Sequence, residues 1–159
     1  MSLESVRRHL AEAAPELEVI ETADSSATVE LAAQAHDVRP AQIAKTLSFR
    51  LKEEVFLVVA RGDARLDNKK AKTTFGGKVK MLALEEVQDI TGHPVGGVCP
   101  FGLATPLKVY LDESLKAFDE VIPAAGATNA AVRISPQRLF EVTGGTWVDV
   151  CQDPETVPA

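Results

Sequence analysis

Two strand-like runs, at residues 45–51 and 54–60, follow one another with only the charged pair Lys52-Glu53 between them. A two-residue separation of this kind predicts a β-hairpin, in which both strands lie side by side in one sheet. The second run holds the longest apolar stretch of the chain, Val55-Phe-Leu-Val-Val-Ala60. Because a membrane-spanning helix needs roughly 20 apolar residues, this stretch predicts a buried strand, and no transmembrane segment or membrane partner is expected.

Short helical and extended patterns fill the rest of the chain without regular alternation. Helices are predicted at residues 2–14, 28–36, 67–74, 84–90 and 136–142, and shorter extended segments at residues 19–20, 78–82, 106–111, 120–124, 130–134 and 146–150. Strands that outnumber helices in this irregular order favour an α+β fold over a doubly wound parallel sheet. We therefore expect a mixed, barrel-like or partly closed β-sheet surrounded by helices.

Length and composition predict one domain. A chain of 159 residues with 45% hydrophobic residues can bury one ordinary core, and no repeat or Pro/Ser-rich linker divides it. We predict a single domain over residues 1–159, with a frayed tail from about residue 152. The first residues lack a secretory signal, so the expected location is the cytoplasm. Two cysteines suggest thiols rather than a disulfide framework, although a bridge between them stays open.

The charge is unevenly distributed. The formal net charge is -6, yet the segment from Arg61 to Lys80 carries seven basic residues against two acidic ones. The overall charge argues against a protein that coats nucleic acid non-specifically, because Lys and Arg supply that binding by neutralising phosphates. The basic segment is either a solvated surface or a small patch that follows the phosphates of one nucleic-acid end.

Lys45 stands at the start of the predicted hairpin, within Ile43-Ala-Lys-Thr-Leu-Ser-Phe49. Its neighbours are apolar or small, so part of its side chain must lie against the core. It is either a lysine whose methylenes pack while the ammonium reaches water, or a cation held at a pocket rim. A cation there would bind a phosphate or a ribose oxygen with several donors.

The segment Thr91–Gly102 combines glycines at 92, 96, 97 and 102 with prolines at 94 and 100. Glycine permits positive φ and the close approach of a ligand, and proline restricts the loop. Backbone N–H groups can then be pre-organised towards an oxygen that becomes negative. The alternative is a purely structural loop at the end of a sheet. A phosphate-binding P-loop is excluded because its Gly-Lys-Ser/Thr ending is missing.

Cys99 lies inside this glycine-rich loop. A nucleophilic cysteine needs a base, and His93 is the nearest histidine in sequence. His93 is better explained as a residue that forms hydrogen bonds within the loop. The histidines and cysteines offer no pair at the spacing of zinc ligands, so no metal site is predicted.

Taken together, four motifs closely resemble the YbaK/EbsC family of stand-alone relatives of the editing domain in bacterial prolyl-tRNA synthetases. The motifs are Ile43-Ala-Lys-Thr-Leu47, Gly92-x-x-x-Gly-Gly-Val-x-Pro-Phe-Gly102, Ala125-Gly126 followed by a strand, and Ser135-Pro-x-x-Leu139. They extend over nearly the whole chain. The resemblance implies a barrel-like sheet with surrounding helices, and no metal or other cofactor.

The resemblance also implies an activity and its residues. The implied activity is deacylation of tRNA for proline that carries a small amino acid such as alanine or cysteine. The implied partners are the tRNA acceptor end and a prolyl-tRNA synthetase. In this family the lysine of the Lys-Thr-Leu motif, here Lys45, is most tied to activity, and the glycine-rich loop is matched by Gly92, Gly96, Gly97 and Pro100.

From these matches we assign roles as hypotheses. Lys45 would bind the terminal adenosine's phosphate or ribose oxygen, and the N–H groups of Gly96 and Gly97 would hold the developing oxyanion. Water, or a hydroxyl or thiol of the substrate, would attack the ester. Further candidates are Gly92, Pro100, Gly126, Thr128 and Asn129 for the substrate, and Lys69, Lys70 and Lys72 for tRNA.

Two positions depart from the cysteinyl-tRNA deacylases that the chain resembles. Those proteins carry a tyrosine and an aspartate at positions that correspond approximately to Glu21 and Ala131 here. The departures favour removal of alanine or of a broader set of small residues. Two alternatives remain from the sequence: a non-catalytic module that binds an aminoacyl-tRNA or a synthetase, and a cysteine hydrolase that uses Cys99.

Overall fold

The computed structural model describes residues 2–152, so most of the tail expected to fray lies outside the described residues. The α-helices are α1 (Ser2–Ala13), α2 (Val29–Ala35), α3 (Asn68–Phe75), α4 (Leu84–Thr91) and α5 (Pro136–Thr143), and short 3-10 helices span Pro40–Gln42 and Glu113–Ala117. The strands are β1 (Ile20–Glu21), β2 (Ile43–Leu51), β3 (Glu54–Arg61), β4 (Lys80–Met81), β5 (Lys108–Asp112), β6 (Ile122–Pro123), β7 (Ala130–Ala131) and β8 (Thr146–Val148).

The predicted hairpin forms the centre of the main sheet. β2 and β3 are antiparallel over their whole length, with Lys45 opposite Ala60 and Leu51 opposite Glu54. β5 lies parallel to β3 and β8 lies parallel to β5, which gives the order β4-β2-β3-β5-β8. β6 pairs in parallel with β2, while β1 and β7 form a separate two-stranded sheet. The mixture of parallel and antiparallel pairs confirms the α+β class.

The expectation of a barrel-like sheet is wrong. Within the described residues the sheet is open, because β4 at one edge and β8 at the other do not pair with each other. These edge strands have two and three residues, which is too short for the continuous ladder that closes a barrel. β2 lies inside this sheet, but the short strands β4 and β6 cover only part of its outer edge.

The two faces of the sheet carry separate apolar clusters. On one face Leu57, Val59 and Leu111 pack against α1 and α5 and against the loop residues Cys99 and Phe101. The opposite face carries Phe49, Phe56, Val58, Val148 and Val150 under Ala71 of α3. Helices therefore cover both sides of the hairpin, as expected when a strand is apolar on both faces.

Local signals set the ends of the helices. The carboxylate of Asp67 accepts from the N–H groups of Lys69 and Lys70 at the start of α3, and Gly76 ends that helix with φ of 83°. Ser135 caps α5, Pro136 occupies its first turn and Gly144 ends it with φ of 64°. No helix among the described residues combines the length and the apolar character required to cross a bilayer.

Candidate functional site

The outer edge of β2 is shared by two short strands. β6 pairs with Ile43 and Ala44, and β4 pairs with Phe49 and Arg50. Between them, residues 45–48 have no strand partner on this edge in the described part of the chain. A cavity of about 240 Å³ lies against this interruption and is lined by residues from the segments 26–32, 43–48, 81–87, 95–98, 122–124 and 130–131. We call the interruption the β2 gap.

Lys45 is the only charged residue of the described chain that lines this cavity. Its ammonium donates a hydrogen bond to the carbonyl oxygen of Ala64. Burial lowers the pKa of Lys45, while the neighbouring Cys151 and Asp63 oppose that shift. An ammonium has three donors, so a ligand in the cavity can still receive two of them.

The glycine-rich loop presents Gly96, but not Gly97, to the cavity. Gly96 has φ of +89°, and a Cβ there would lie 2.9 Å from the Cβ of Ala27, so this position accepts only glycine without rearrangement. The N–H of Gly97 donates to the carbonyl oxygen of Pro94 at 2.9 Å. We therefore withdraw Gly97 as an oxyanion donor, since a turn hydrogen bond already uses its N–H.

The remaining residues predicted to bind substrate do not line the cavity, and each makes other contacts. Gly92 ends α4 with φ of 81°, and Pro100 is buried within the loop. The N–H of Gly126 donates to the carbonyl oxygen of Gly97 at 3.1 Å, which fixes the two loops against each other. Gly92, Pro100 and Gly126 therefore contribute to the structure of their loops and not to the lining of the cavity.

Thr128 and Asn129 connect to the segment before α2. The carbonyl oxygen of Thr128 accepts from the backbone N–H of Ser26 at 2.6 Å, and the side-chain amide of Asn129 donates to Thr22 at 3.1 Å. Ser26 itself lines the cavity. The two residues thus hold a segment of the cavity wall rather than facing the cavity.

The three lysines predicted to contact tRNA are not equivalent. Lys69 and Lys72 are exposed on α3. Lys70 is partly buried, forms an ion pair with Asp149 at 3.1 Å and donates to the carbonyl oxygen of Cys151 at 3.0 Å. Because these contacts tie α3 to the C-terminal segment, Lys70 has a structural role that its sequence neighbours lack.

Cys99 is unsuited to nucleophilic attack. It is 0% exposed, and burial raises the pKa of its thiol to about 12. His93 is also fully buried, and its Nε2 lies 2.7 Å from the carbonyl oxygen of Phe101. The interpretation of His93 as a hydrogen-bonding residue of the loop agrees with this contact. No group of three or more potential metal ligands occurs among the described residues.

Sequence reasoning missed most of the cavity wall. Thr46 and Ser48 line the cavity from β2, and the Oγ1 atom of Thr46 is buried without a hydrogen-bond partner in the described chain. Thr46 and Ser48 are small polar residues at alternate positions of β2, and this pattern could have indicated that one face of the strand lines a cavity. The wall also contains five alanines from outside β2: Ala27, Ala32, Ala124, Ala130 and Ala131.

The aminoacyl-tRNA editing domain family matches residues 23–142, which is most of the chain. The chain belongs to this family. The family resemblance inferred from the four motifs is thereby confirmed. The matched region includes β2, the glycine-rich loop and the other segments that line the cavity, so this editing domain contains the complete cavity wall described above.

Three relatives and one solved structure resemble this editing domain. YwhH of Bacillus subtilis, an uncharacterized protein, is 51% identical over 98% of this chain and 100% of its own length. EbsC of Enterococcus faecalis, a candidate Cys-tRNA(Pro)/Cys-tRNA(Cys) deacylase, is 28% identical over 77% of this chain and 76% of its own length.

The proline–tRNA ligase of Bacillus cytotoxicus is 32% identical over 82% of this chain, but the match spans only 23% of the ligase. A crystal structure described as a candidate trans-editing enzyme for prolyl tRNA synthetase matches with a TM-score of 0.88 and 36% identity, covering 96% of this chain and 98% of the other. The stand-alone fold is therefore shared with proteins of similar length.

Proposed function

We propose that this editing domain is a trans-editing deacylase that hydrolyses the ester bond of mischarged aminoacyl-tRNA. Family membership supports the reaction class, and the names given to EbsC and to the solved trans-editing structure point the same way. The observation that carries the proposal is the cavity at the β2 gap, which Lys45 and Gly96 both line.

The proposed chemistry needs alignment and charge stabilisation more than a strong nucleophile. Water, or a hydroxyl or thiol of the substrate, attacks the ester carbonyl carbon, and the carbonyl oxygen becomes negative. The bond between that carbon and the ribose oxygen then breaks, and the ribose oxygen takes a proton. Lys45 binds the phosphate or ribose oxygen of the terminal nucleotide, and the N–H of Gly96 stabilises the oxyanion.

The cavity wall supports a small amino acid as the group removed. The five alanines leave space without offering polar partners, and Ala131 is one of them. A pocket of limited size rejects a larger side chain sterically, whereas a synthetase pocket cannot fully reject a smaller one. The proposed substrate is tRNA for proline that carries alanine, cysteine or another small residue.

The proposed partners follow from this substrate. The acceptor end of tRNA carries the ester, and the relationship to proline–tRNA ligase suggests that the synthetase is a further partner. Translation supplies such a substrate in the cytoplasm, which is where we place the reaction.

The test measures loss of the amino acid from alanyl-, cysteinyl- and seryl-tRNA for proline, with and without the protein. We expect at least one substrate to be hydrolysed far faster than in buffer. Replacing Lys45→Met keeps the methylene packing but removes the charge-assisted hydrogen bonds, so kcat/KM should fall by about 10- to 150-fold. If no substrate loses its amino acid faster than in buffer, the deacylase proposal is wrong.

A non-catalytic module that binds aminoacyl-tRNA is the alternative. It would bind the same substrates but release no amino acid. Hydrolysis that continues unchanged in Lys45→Met would reject the role of Lys45 and leave the reaction class standing.

A further inference from the structure

Thr46 lies in the β2 gap and has three polar groups there: its hydroxyl, its N–H and its C=O. Its side chain lines the cavity, and its Oγ1 is buried without a hydrogen-bond partner in the described chain. Its backbone groups face the gap as well. The carbonyl oxygen of Ser48 accepts from the N–H of Leu82 across this edge at 2.9 Å. Because backbone groups of alternate residues point to the same side of a strand, the N–H and C=O of Thr46 point outward like those of Ser48.

Thr46 and Lys45 lie on opposite faces of β2. Ala44 packs in the cluster that contains the loop residues Cys99 and Phe101, and Thr46 follows it by two positions, so it lies on the same face. Lys45 is paired with Ala60, which clusters with Ala64 and Cys151 on the other face. The cavity therefore reaches both sides of the strand edge, with the cation on one side only.

Because Lys45 lies on one side of the strand edge only, it determines which end of a charged aminoacyl ester can bind on each side of the cavity. The substrate has anionic phosphates at the nucleotide end and one cation, the α-ammonium, at the amino-acid end. The ammonium is repelled by Lys45, and the phosphates are attracted by it. No acidic residue among the described ones lines the cavity, so neutral oxygens must receive the ammonium.

Resting on the proposed deacylase function, we infer that Thr46 is the residue that binds the substrate's α-ammonium, through its hydroxyl and its outward carbonyl oxygen. A buried polar group without a partner is costly, so an unpaired hydroxyl in a cavity wall is expected to serve a ligand. Since every aminoacyl-tRNA carries the α-ammonium, this contact positions the ester without selecting the side chain. It also predicts that substrates with a blocked amino group are poor.

The experiment compares Thr46→Val with Thr46→Ser, on alanyl-tRNA for proline and on its N-acetylated form. Valine keeps the shape of threonine but removes the hydroxyl, whereas serine retains it. A hydrogen bond to a charged group corresponds to about 10- to 150-fold in kcat/KM. We expect Thr46→Val to lose that factor on the free-amine substrate, to lose little on the N-acetylated one, and Thr46→Ser to stay within about threefold of the native chain.

Stability separates this role from a structural one. Because the Thr46 hydroxyl has no partner in the described chain, Thr46→Val should unfold at the same or a higher urea concentration than the native protein. A residue that merely supports the fold would lower that midpoint. Full activity of Thr46→Val, or an equal loss on both substrates, would overturn the inference.

A binding measurement makes the test independent of turnover. The probe is 3'-alanylamino-3'-deoxyadenosine, whose amide resists hydrolysis, compared with the 3'-propionylamino compound that lacks the amine. Titration calorimetry should show tighter binding of the amine in the native protein and no preference in Thr46→Val. A native protein that hydrolyses no ester would overturn the proposed function, and the calorimetry would still decide the role of Thr46.

Discussion

Gly96 and Gly76 both adopt the left-handed backbone conformation, with φ of +89° and +83°, but their surroundings differ. A Cβ at Gly96 would lie 2.9 Å from the Cβ of Ala27 in the cavity wall, while a Cβ at Gly76 would meet nothing within 4 Å. Alanine substitutions at the two positions therefore distinguish the strain of the left-handed backbone, present at both, from the steric clash of a Cβ, present only at Gly96.

We predict that Gly96→Ala lowers kcat/KM by at least about tenfold, because the loop must move away from Ala27 and the N–H of residue 96 would leave its proposed oxyanion position. Gly76→Ala should cost about 1–2 kcal/mol in unfolding free energy through the left-handed backbone alone, with activity unchanged. Both are measured by urea unfolding and by deacylation at a temperature where each variant is folded. Equal activity of the two variants would mean that Gly96 has no special part in the site.

At the scale of single residues, the sequence indicated which loop residues could line a site but not which hydrogen bonds they form. Lys45 and Gly96 were predicted from motifs, and both line the cavity. The same motif predicted Gly97 as an oxyanion donor, yet the N–H of Gly97 donates to the carbonyl oxygen of Pro94. Thr46 was missed because, although its alternation with Ser48 was visible in the sequence, the absence of a partner for its hydroxyl depends on what distant segments leave unfilled.

At the scale of elements, α3 lies on the same face of the sheet as the side chain of Lys45. Ala71 of α3 packs over Phe56 and Val58, and Lys45 belongs to that face by its register opposite Ala60. Lys69 and Lys72 are exposed on this helix. If Lys45 binds the end of the acceptor strand, as proposed above, the strand has a path along α3 on the same face.

We predict that Lys69→Gln and Lys72→Gln each reduce the slope of log affinity against log salt by about 0.7–0.9, because each removes one phosphate contact. The measurement is tRNA binding between low and moderate salt. Arg8→Gln is the matched control: Arg8 is exposed on α1, which packs on the opposite face. Lys70→Gln should mainly lower the free energy of unfolding, since it breaks the contacts with Asp149 and Cys151. An equal slope change in Arg8→Gln would point to general electrostatics rather than a path along α3.

The elements whose bounds are set by turn and capping residues could be predicted from the sequence. The elements whose bounds are set by pairing with strands distant in sequence could not. The hairpin, α3 and α5 carry their own turn and capping residues, and they form close to the predicted bounds. The segments 120–124 and 130–134 were expected to be full strands, but only β6 and β7, of two residues each, form there. Their length is set by partners distant in sequence, and so is the β2 gap that creates the cavity.

At the scale of the whole molecule, two buried histidines couple the fold to pH. His93 is 0% exposed and His36 is 6% exposed. Burial lowers the pKa of both side chains, and Arg133 lowers the pKa of His36 further. One ring nitrogen of each histidine, Nδ1 of His93 and Nε2 of His36, has no hydrogen-bond partner in the described chain. Protonation therefore favours the unfolded state, where both rings reach water.

The sign of the effect follows from these lowered pKa values. Above the ordinary histidine pKa of 6.5 neither state binds the protons, and stability is unaffected. As pH falls below that value, the unfolded state binds protons that the folded state does not, and stability is lost. Each histidine can contribute up to about 1.4 kcal/mol per pH unit. The loss from each histidine stops where the pH falls below its lowered pKa in the folded state.

We predict a decrease in unfolding free energy between pH 7 and pH 5, measured by urea titration, and a smaller slope in His36→Gln. Carboxylates with lowered pKa values affect stability in a more acidic pH range than the histidines do. Arg61 holds the pKa of Asp63 below its ordinary 3.8, so the stability from that ion pair is lost only below that pH. A curve that is flat down to pH 4 and falls only below it would assign the acid sensitivity to carboxylates instead. A slope unchanged in His36→Gln would leave His93 as the residue that couples the glycine-rich loop to pH, because its ring is held by Phe101 within that loop.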